Sequence, residues 1–231
     1  MYQTIIQALK KTAANLRFQG SQDYWEGRYA KGGTSGAGSY GELAEFKAEI
    51  INKFLRSNHV NSAIEFGCGD GNQISLIDFP NYIGVDVSQT VLNLCRARFS
   101  EDPTKTFLLS NDYGGQTVEC ALSLDVLYHL VEDGIFAEYM RTLFSSASRY
   151  VILYTSNVMP NELRILNLQM REHVRHRYVT GYIAEHYPAW ELIEHIPNRY
   201  PYNWETGGKG SFAEFFIYKS KPNGKSSHCE V

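Results

Sequence analysis

The chain is short of the residues that mark special environments. Its four cysteines, at positions 68, 95, 120 and 229 of 231, are too scattered for a disulfide framework or for zinc-ligand spacing, so a reducing, cytoplasmic setting and no metal site are expected. No apolar run approaches the roughly 20 residues needed to cross a bilayer. The opening stretch MYQTIIQALKKTAANLRFQG has no continuous apolar core of the kind a signal peptide carries. Charge is nearly balanced, with 22 basic and 25 acidic residues and a net charge of -3. That balance removes any general attraction to nucleic acid or to an anionic membrane, so an anion site has to be local. No internal repeat and no second domain are evident.

What is present is an ordinary globular composition, 43% hydrophobic and 20% charged, long enough to bury one substantial core. Residues 3 to 17 carry apolar side chains at helical spacing. The segment DYWEGRYAKGGTSGAGSYG that follows is expected to be a loop, because six glycines disfavour regular structure. Its aromatics suggest that it orders over something. From Glu42 onward strands and helices alternate: helix 42–55, strand SAIEF, helix 72–78, strand YIGVDV, helix 88–99, strands TFLLS and CALSLD, helix 131–148, strand YVILYT and a long helix over 160–187. Such alternation implies a doubly wound α/β fold with a parallel sheet covered on both faces. Two aromatic runs, AWELIEHIPNRYP and SFAEFFIYKSK, suggest a terminal antiparallel pair. The expected organisation is an N-terminal helix and lid segment (1–41), one α/β domain (42–220) and a flexible tail (221–231).

The stretch IEFGCGDGN places Gly67, Gly69 and Gly71 directly after the first strand, with Glu65 before them and Asp86 closing the second strand. In open parallel sheets ligands bind beyond the C-terminal strand ends, where the strand order reverses. Bare glycines let a backbone turn sharply and approach a ligand, and a helix starting near Asn72 would point its amides there. The spacing is G-x-G-x-G, with Asn72 in the place of the third glycine of the dinucleotide fingerprint. A carboxylate at position 65 suits a cationic group better than a diphosphate, and an acid at the end of the second strand suits ribose hydroxyls. S-adenosylmethionine combines these features.

The ordered set IEFGCGDGN, IGVDVS, CALSLDVLYHLVED and YVILYTSN resembles the successive motifs of the class I S-adenosylmethionine-dependent methyltransferases, over residues 42 to 157. The resemblance implies a Rossmann-like, seven-stranded sheet with its last strand antiparallel and helices on both faces. It also implies that Glu65, Gly67, Gly69 and Asn72 line the methionine end, that Asp86 takes the ribose hydroxyls and that Val87 flanks the adenine. Asp112 is implied at the adenine amino group, with a turn-forming role as the alternative. Asp125 is implied near the methionine amino group, with a helix cap as its alternative.

For the acceptor, His129 in DVLYHLVED is the candidate base if a hydroxyl is methylated; the competing reading is a histidine that packs or bonds to the loop backbone. Arg164, Arg171 and Arg175 fall on one face of the expected long helix and could grip phosphate, or could form a solvated face paired with Glu162, Glu172 and Glu185. Tyr24 and Trp25 are expected at the substrate, on a lid that excludes water. The segments YWEGRYAKGGTSGAGSYGELAEFKAE, VRHRYVTGYI, IPNRYP and SFAEFFIY are similar to small bacterial methyltransferases of surface-polysaccharide gene clusters. That similarity implies O-methylation of a sugar, sugar phosphate or phosphoramidate in polysaccharide biosynthesis. A dinucleotide-dependent oxidoreductase and a non-catalytic cofactor-binding module are the alternatives.

Overall fold

A computed structural model describes residues 20–169, 173–205 and 210–222. The expected helix 3–17 lies outside these, as do Arg171 and the end of the tail. The elements in chain order are α1 (Ser21–Ala30), α2 (Gly41–Ser57), β1 (Ala63–Phe66), β2 (Tyr82–Asp86), α3 (Gln89–Arg98), β3 (Lys105–Leu109), β4 (Val118–Leu124), α4 (Asp133–Ser145), β5 (Ala147–Thr155), α5 (Pro160–Gln169), α6 (Val179–His186), β6 (Trp190–Ile196) and β7 (Glu214–Ser220). The seven strands form one sheet in the order β3-β2-β1-β4-β5-β7-β6. β1 to β5 run parallel, and β7 runs antiparallel between β5 and β6. The strand order reverses between β1 and β4, which puts the ligand-binding crevice at their C-terminal ends.

Because side chains alternate across a strand, each buried strand feeds two cores. Phe46, Ile51 and Phe54 of α2 and Val91, Leu92 and Cys95 of α3 pack on one face against Tyr82, Phe107 and Leu122. Phe136, Met140 and Leu143 of α4 and Ile183 of α6 pack on the other against Ile64, Val151 and Phe216. Glu65 faces the α2 and α3 side, out of register with its apolar neighbours Ile64 and Phe66, and is 2% exposed.

Three expected elements differ. The aromatic segment begins as a helix, α1, whose stability is tertiary. At one end Ser21 donates from its backbone N and its hydroxyl to Glu132 (3.1 and 2.7 Å); at the other the Thr90 hydroxyl donates to Glu26. Only residues beyond Ala30 keep the expected loop, with a 3₁₀ turn at Ala37–Ser39. Helix 72–78 is a single 3₁₀ turn, Ile74–Leu76. The run is too short to propagate, Ser75 bonds back to the Asn72 carbonyl at 2.6 Å, and Pro80 disfavours helix at the residue before it. The stretch 160–187 is two helices, since the chain around 174–178 bonds elsewhere: Arg175 N donates to Tyr128 O (2.7 Å), and Arg177 O accepts from Val158 N (3.1 Å).

Arg175 is therefore on no helix face. Its guanidinium donates to Val131 O (2.9 Å) and pairs with Asp133 at 3.0 Å. Arg177 donates to Leu130 O (2.6 Å) and Val131 O (3.2 Å), pairs with Asp133, and lies over the Phe136 ring. The two arginines clamp the loop after β4 rather than offering a free anion site. Arg177→Met should lower stability by about 2 kcal/mol, roughly 4–8 °C in Tm, because it orphans the Leu130 carbonyl, removes one of two donors to the Val131 carbonyl and leaves Asp133 with Arg175 alone. Arg175→Ala, at a more exposed pair, should cost under about 1 kcal/mol. Thermal unfolding checks both, and the reverse order would contradict the clamp.

Candidate functional site

The site is built on the turn after β1. Gly67 N and Cys68 N both donate to Val85 O (2.7 and 3.1 Å), tying the turn to β2. Gly67 and Gly69 have φ of 83° and 60°, the left-handed region that side chains disfavour. Space forbids a side chain as well: a Cβ on Gly67 would lie 2.5 Å from Val126 Cγ2, and one on Gly69 would lie 2.3 Å from Ser35 Oγ.

The lid loop sits on this turn through paired bonds. Ser35 N donates to Asp70 Oδ2 (2.8 Å) while Asp70 N donates to Ser35 Oγ (2.9 Å). Tyr40 adds a bond to Asp70 Oδ2 at 2.9 Å, and the Tyr29 hydroxyl lies 3.1 Å from Ser35 Oγ. Asn72, expected at the methionine end, instead donates its amide to Ser39 O at 2.7 Å. What the aromatic segment orders over is the glycine turn.

Two buried carboxylates flank the turn. Asp86 accepts from Gly69 N and Ser88 N, both at 3.0 Å. Burial outweighs these donors and raises its pKa to about 6. Glu65 accepts from the Tyr82 hydroxyl at 2.6 Å, and burial raises its pKa to about 7 against the pull of Tyr82 and Lys47. Val87 is half-buried beside Asp86, and Asp112 is exposed at the end of the turn following β3.

Asp125, just past β4, has φ of 60°, a conformation that aspartate tolerates better than most residues. It caps no helix with its side chain. Oδ2 accepts from Lys47 Nζ and Oδ1 from the Tyr128 hydroxyl, each at 2.7 Å. Sequence reasoning missed Lys47, although its signal is visible: one lysine inside the apolar stripe of α2, next to Phe46 and facing Ile51. Ser35 and Asp70 were missed with less reason to find them, since the bonds that pair them join residues 35 apart.

His129, Tyr24 and Trp25 do come together. The Tyr24 ring stacks on His173 at 4.5 Å, the His173 ring lies parallel to His129 at 5.7 Å, and Trp25 meets His129 edge-on at 5.0 Å. His129 Nδ1 is 3.1 Å from His173 O. A carbonyl only accepts, so Nδ1 carries the hydrogen and Nε2 keeps its lone pair. Burial lowers the His129 pKa to about 4. Among the described residues no group of three or more His, Cys, Asp or Glu side chains is arranged to hold a metal ion.

Residues 64–151 match the methyltransferase domain family. No curated protein matches the chain. Among solved structures it is similar to the methyltransferase domain of bacterial CtHen1-C, at 20% identity over 78% of this chain and 100% of that one, with a TM-score of 0.60. Magnesium protoporphyrin IX methyltransferase from Synechocystis PCC 6803, solved with bound SAH, matches at 15% identity over 87% and 98%, TM-score 0.60. An S-adenosylmethionine-dependent methyltransferase from Clostridium acetobutylicum matches at 11% over 76% and 91%, TM-score 0.57. The fold is thus the Rossmann-like fold seen in these S-adenosylmethionine-dependent methyltransferase structures. The residues present fit that cofactor: a turn closed to any Cβ at Gly67 and Gly69, flanked by the carboxylates of Asp86 and Asp125. They do not fit a dinucleotide, since no helix N-terminus follows the turn to face a pyrophosphate.

The Glu65 pKa sets a pH test. Its folded value, about 7, lies above the ordinary 4.5, so its contribution to stability is complete below pH 4.5 and is lost as pH rises through 7. The loss is on the order of 3 kcal/mol. Glu65→Gln keeps an acceptor for Tyr82 and removes the titration. Its Tm relative to wild type should therefore rise steadily from pH 5 to pH 8, and a pH-independent difference would contradict a titrating buried carboxyl.

Proposed function

We propose that the protein methylates a hydroxyl of a small, uncharged glycosyl-type acceptor, with S-adenosylmethionine as donor. The observation that carries the donor half is the glycine turn at the β1/β4 switch point, flanked by Asp86 and Asp125 and covered by a lid bonded to the turn itself. When bound, the cofactor supplies a methyl group on a cationic sulfonium.

The chain's own residues have limited tasks in such a reaction, which gains mainly from alignment and exclusion of water. Asp86 is the ribose ligand and Val87 the adenine neighbour in this reading, with Asp112 at the outer edge. α1 and the loop after it exclude water. Tyr24, Trp25, His129 and His173 form an aromatic wall beside the loop that follows β4. His129 Nε2 accepts a hydrogen bond from the acceptor hydroxyl, orients it, and takes its proton as the oxygen bonds to carbon. A carboxylate or phosphoryl oxygen would bring no proton to remove.

The acceptor class is supported by a cavity of ≈ 440 Å³ beyond the C-terminal end of β5, at the same end of the sheet as the turn. It is lined by Asn157, Val158, Glu162, Ile165, Phe212 and Glu214, among others. Two carboxylates and, among the described residues, no cation in that lining disfavour a phosphoryl group and favour a neutral hydroxylated one. Arg175, the expected phosphate ligand, is engaged by Asp133 and Val131. A role in surface-polysaccharide synthesis agrees with a glycosyl acceptor and is part of the proposal.

Three measurements test this reading. With S-adenosylmethionine, a panel of neutral glycosides and the matching sugar phosphates should give mass-detected methylation of the glycosides; turnover confined to the phosphates would overturn the acceptor class. His129→Ala should lower kcat by roughly 10²-fold or more. With a pKa of about 4, His129 in wild type stays neutral above pH 5, so kcat at saturation should be level from pH 6 to 8. A rise with a midpoint near 6.5 would contradict the lowered pKa of His129, and a His129→Ala variant with unchanged kcat would exclude it as the proton acceptor.

A further inference from the structure

Lys47 is the only lysine or arginine in the buried class among the described residues, at 1% exposure. It projects from α2 to the crevice, where Nζ lies 2.7 Å from Asp125 Oδ2. Asp125 follows β4 at the switch point, one residue before Val126, which fills the space a Gly67 side chain would need. The lid crosses directly above, since a Cβ on Gly38 would come within 2.7 Å of the same Asp125 oxygen. The ion pair is thus placed between the turn and the lid. An ammonium carries three N–H bonds. Asp125 Oδ2 is its one hydrogen-bond acceptor among the described residues, and the Tyr154 ring faces it at 5.2 Å.

The crevice is otherwise acidic, holding Glu65, Asp70, Asp86 and Asp125. The amino-acid end of S-adenosylmethionine carries an ammonium and a carboxylate. The acids can serve its ammonium, and Lys47 is the buried cation that can serve its carboxylate. We propose that Lys47 binds the carboxylate of the cofactor's amino-acid end, with Asp125 turning to the cofactor's ammonium, so that one internal ion pair becomes two intermolecular ones. Both charges stay paired throughout, which burial requires. This proposal rests on the reading of the glycine turn as the S-adenosylmethionine site.

The test compares two ligands with the same thioether and adenosine: S-adenosylhomocysteine, which has the amino-acid end, and 5′-methylthioadenosine, which lacks it. By calorimetry on the full chain, Lys47→Met should weaken S-adenosylhomocysteine at least tenfold and leave 5′-methylthioadenosine unchanged. Should that variant fail to fold because Asp125 is left buried and unpaired, Lys47→Met combined with Asp125→Asn removes both charges. The double variant should bind the two ligands with nearly equal affinity. Weakening of both ligands alike, or of neither, would overturn the role of Lys47. Wild-type protein that binds neither ligand would instead overturn the cofactor reading beneath it.

Discussion

The site depends on the missing side chain at Gly69. With no Cβ there, Ser35 Oγ can enter the space and exchange bonds with the backbone and carboxylate of Asp70. That exchange fixes the loop after α1, and through it the Tyr29 and Tyr40 hydroxyls that converge on the same two residues. On its other side the Gly69 amide is bonded to Asp86. One residue without a side chain therefore couples the lid, the turn and the acid at the end of β2. Any larger residue would separate all three, both by its bulk and by its aversion to positive φ.

The second organising feature is how burial treats the acids. Glu65 and Asp86 lack a cationic hydrogen-bond partner, and desolvation pushes both toward their neutral forms near physiological pH. Asp125 is joined to Lys47 and Tyr128. A ligand bearing positive charge would favour the ionised forms of Glu65 and Asp86 and lower both pKa values again. The helix α1 is fastened at its first residue to Glu132 in the loop after β4 and through its own Glu26 to Thr90 at the start of α3. It consequently spans the crevice from the α3 side to the His129 side.

The sheet was legible in the sequence because its strands are short apolar runs, several of them closed by glycine or an acid, as in AIEF before Gly67 and YIGVD at Asp86. The antiparallel ending was legible from the two aromatic runs. What resisted reading was whatever tertiary contacts decide. The residues of α1 form no apolar stripe, and bonds to Glu132 and Thr90, far along the chain, hold them helical. The helix expected after the turn has suitable residues but ends at Pro80 before it can form. Arg175 looked helical by spacing, and its backbone instead bonds Tyr128. Gly67, Gly69 and Asp86 stand at the turn where the pattern put them, while the meeting of His129 with Tyr24 and Trp25 was not readable from spacing. Asn72 turned out to hold the lid, and Lys47 went unread despite standing in an apolar stripe.

The central claim is that lid, turn and β2 acid form one ligand-responsive unit. Hydrogen–deuterium exchange of the full chain, with and without S-adenosylhomocysteine, tests it most directly, because exchange reports local opening segment by segment. Protection should rise together in residues 33–40, 67–72 and 86–88. Protection that appears only elsewhere, or that leaves 33–40 unchanged while 67–72 slows, would contradict the account.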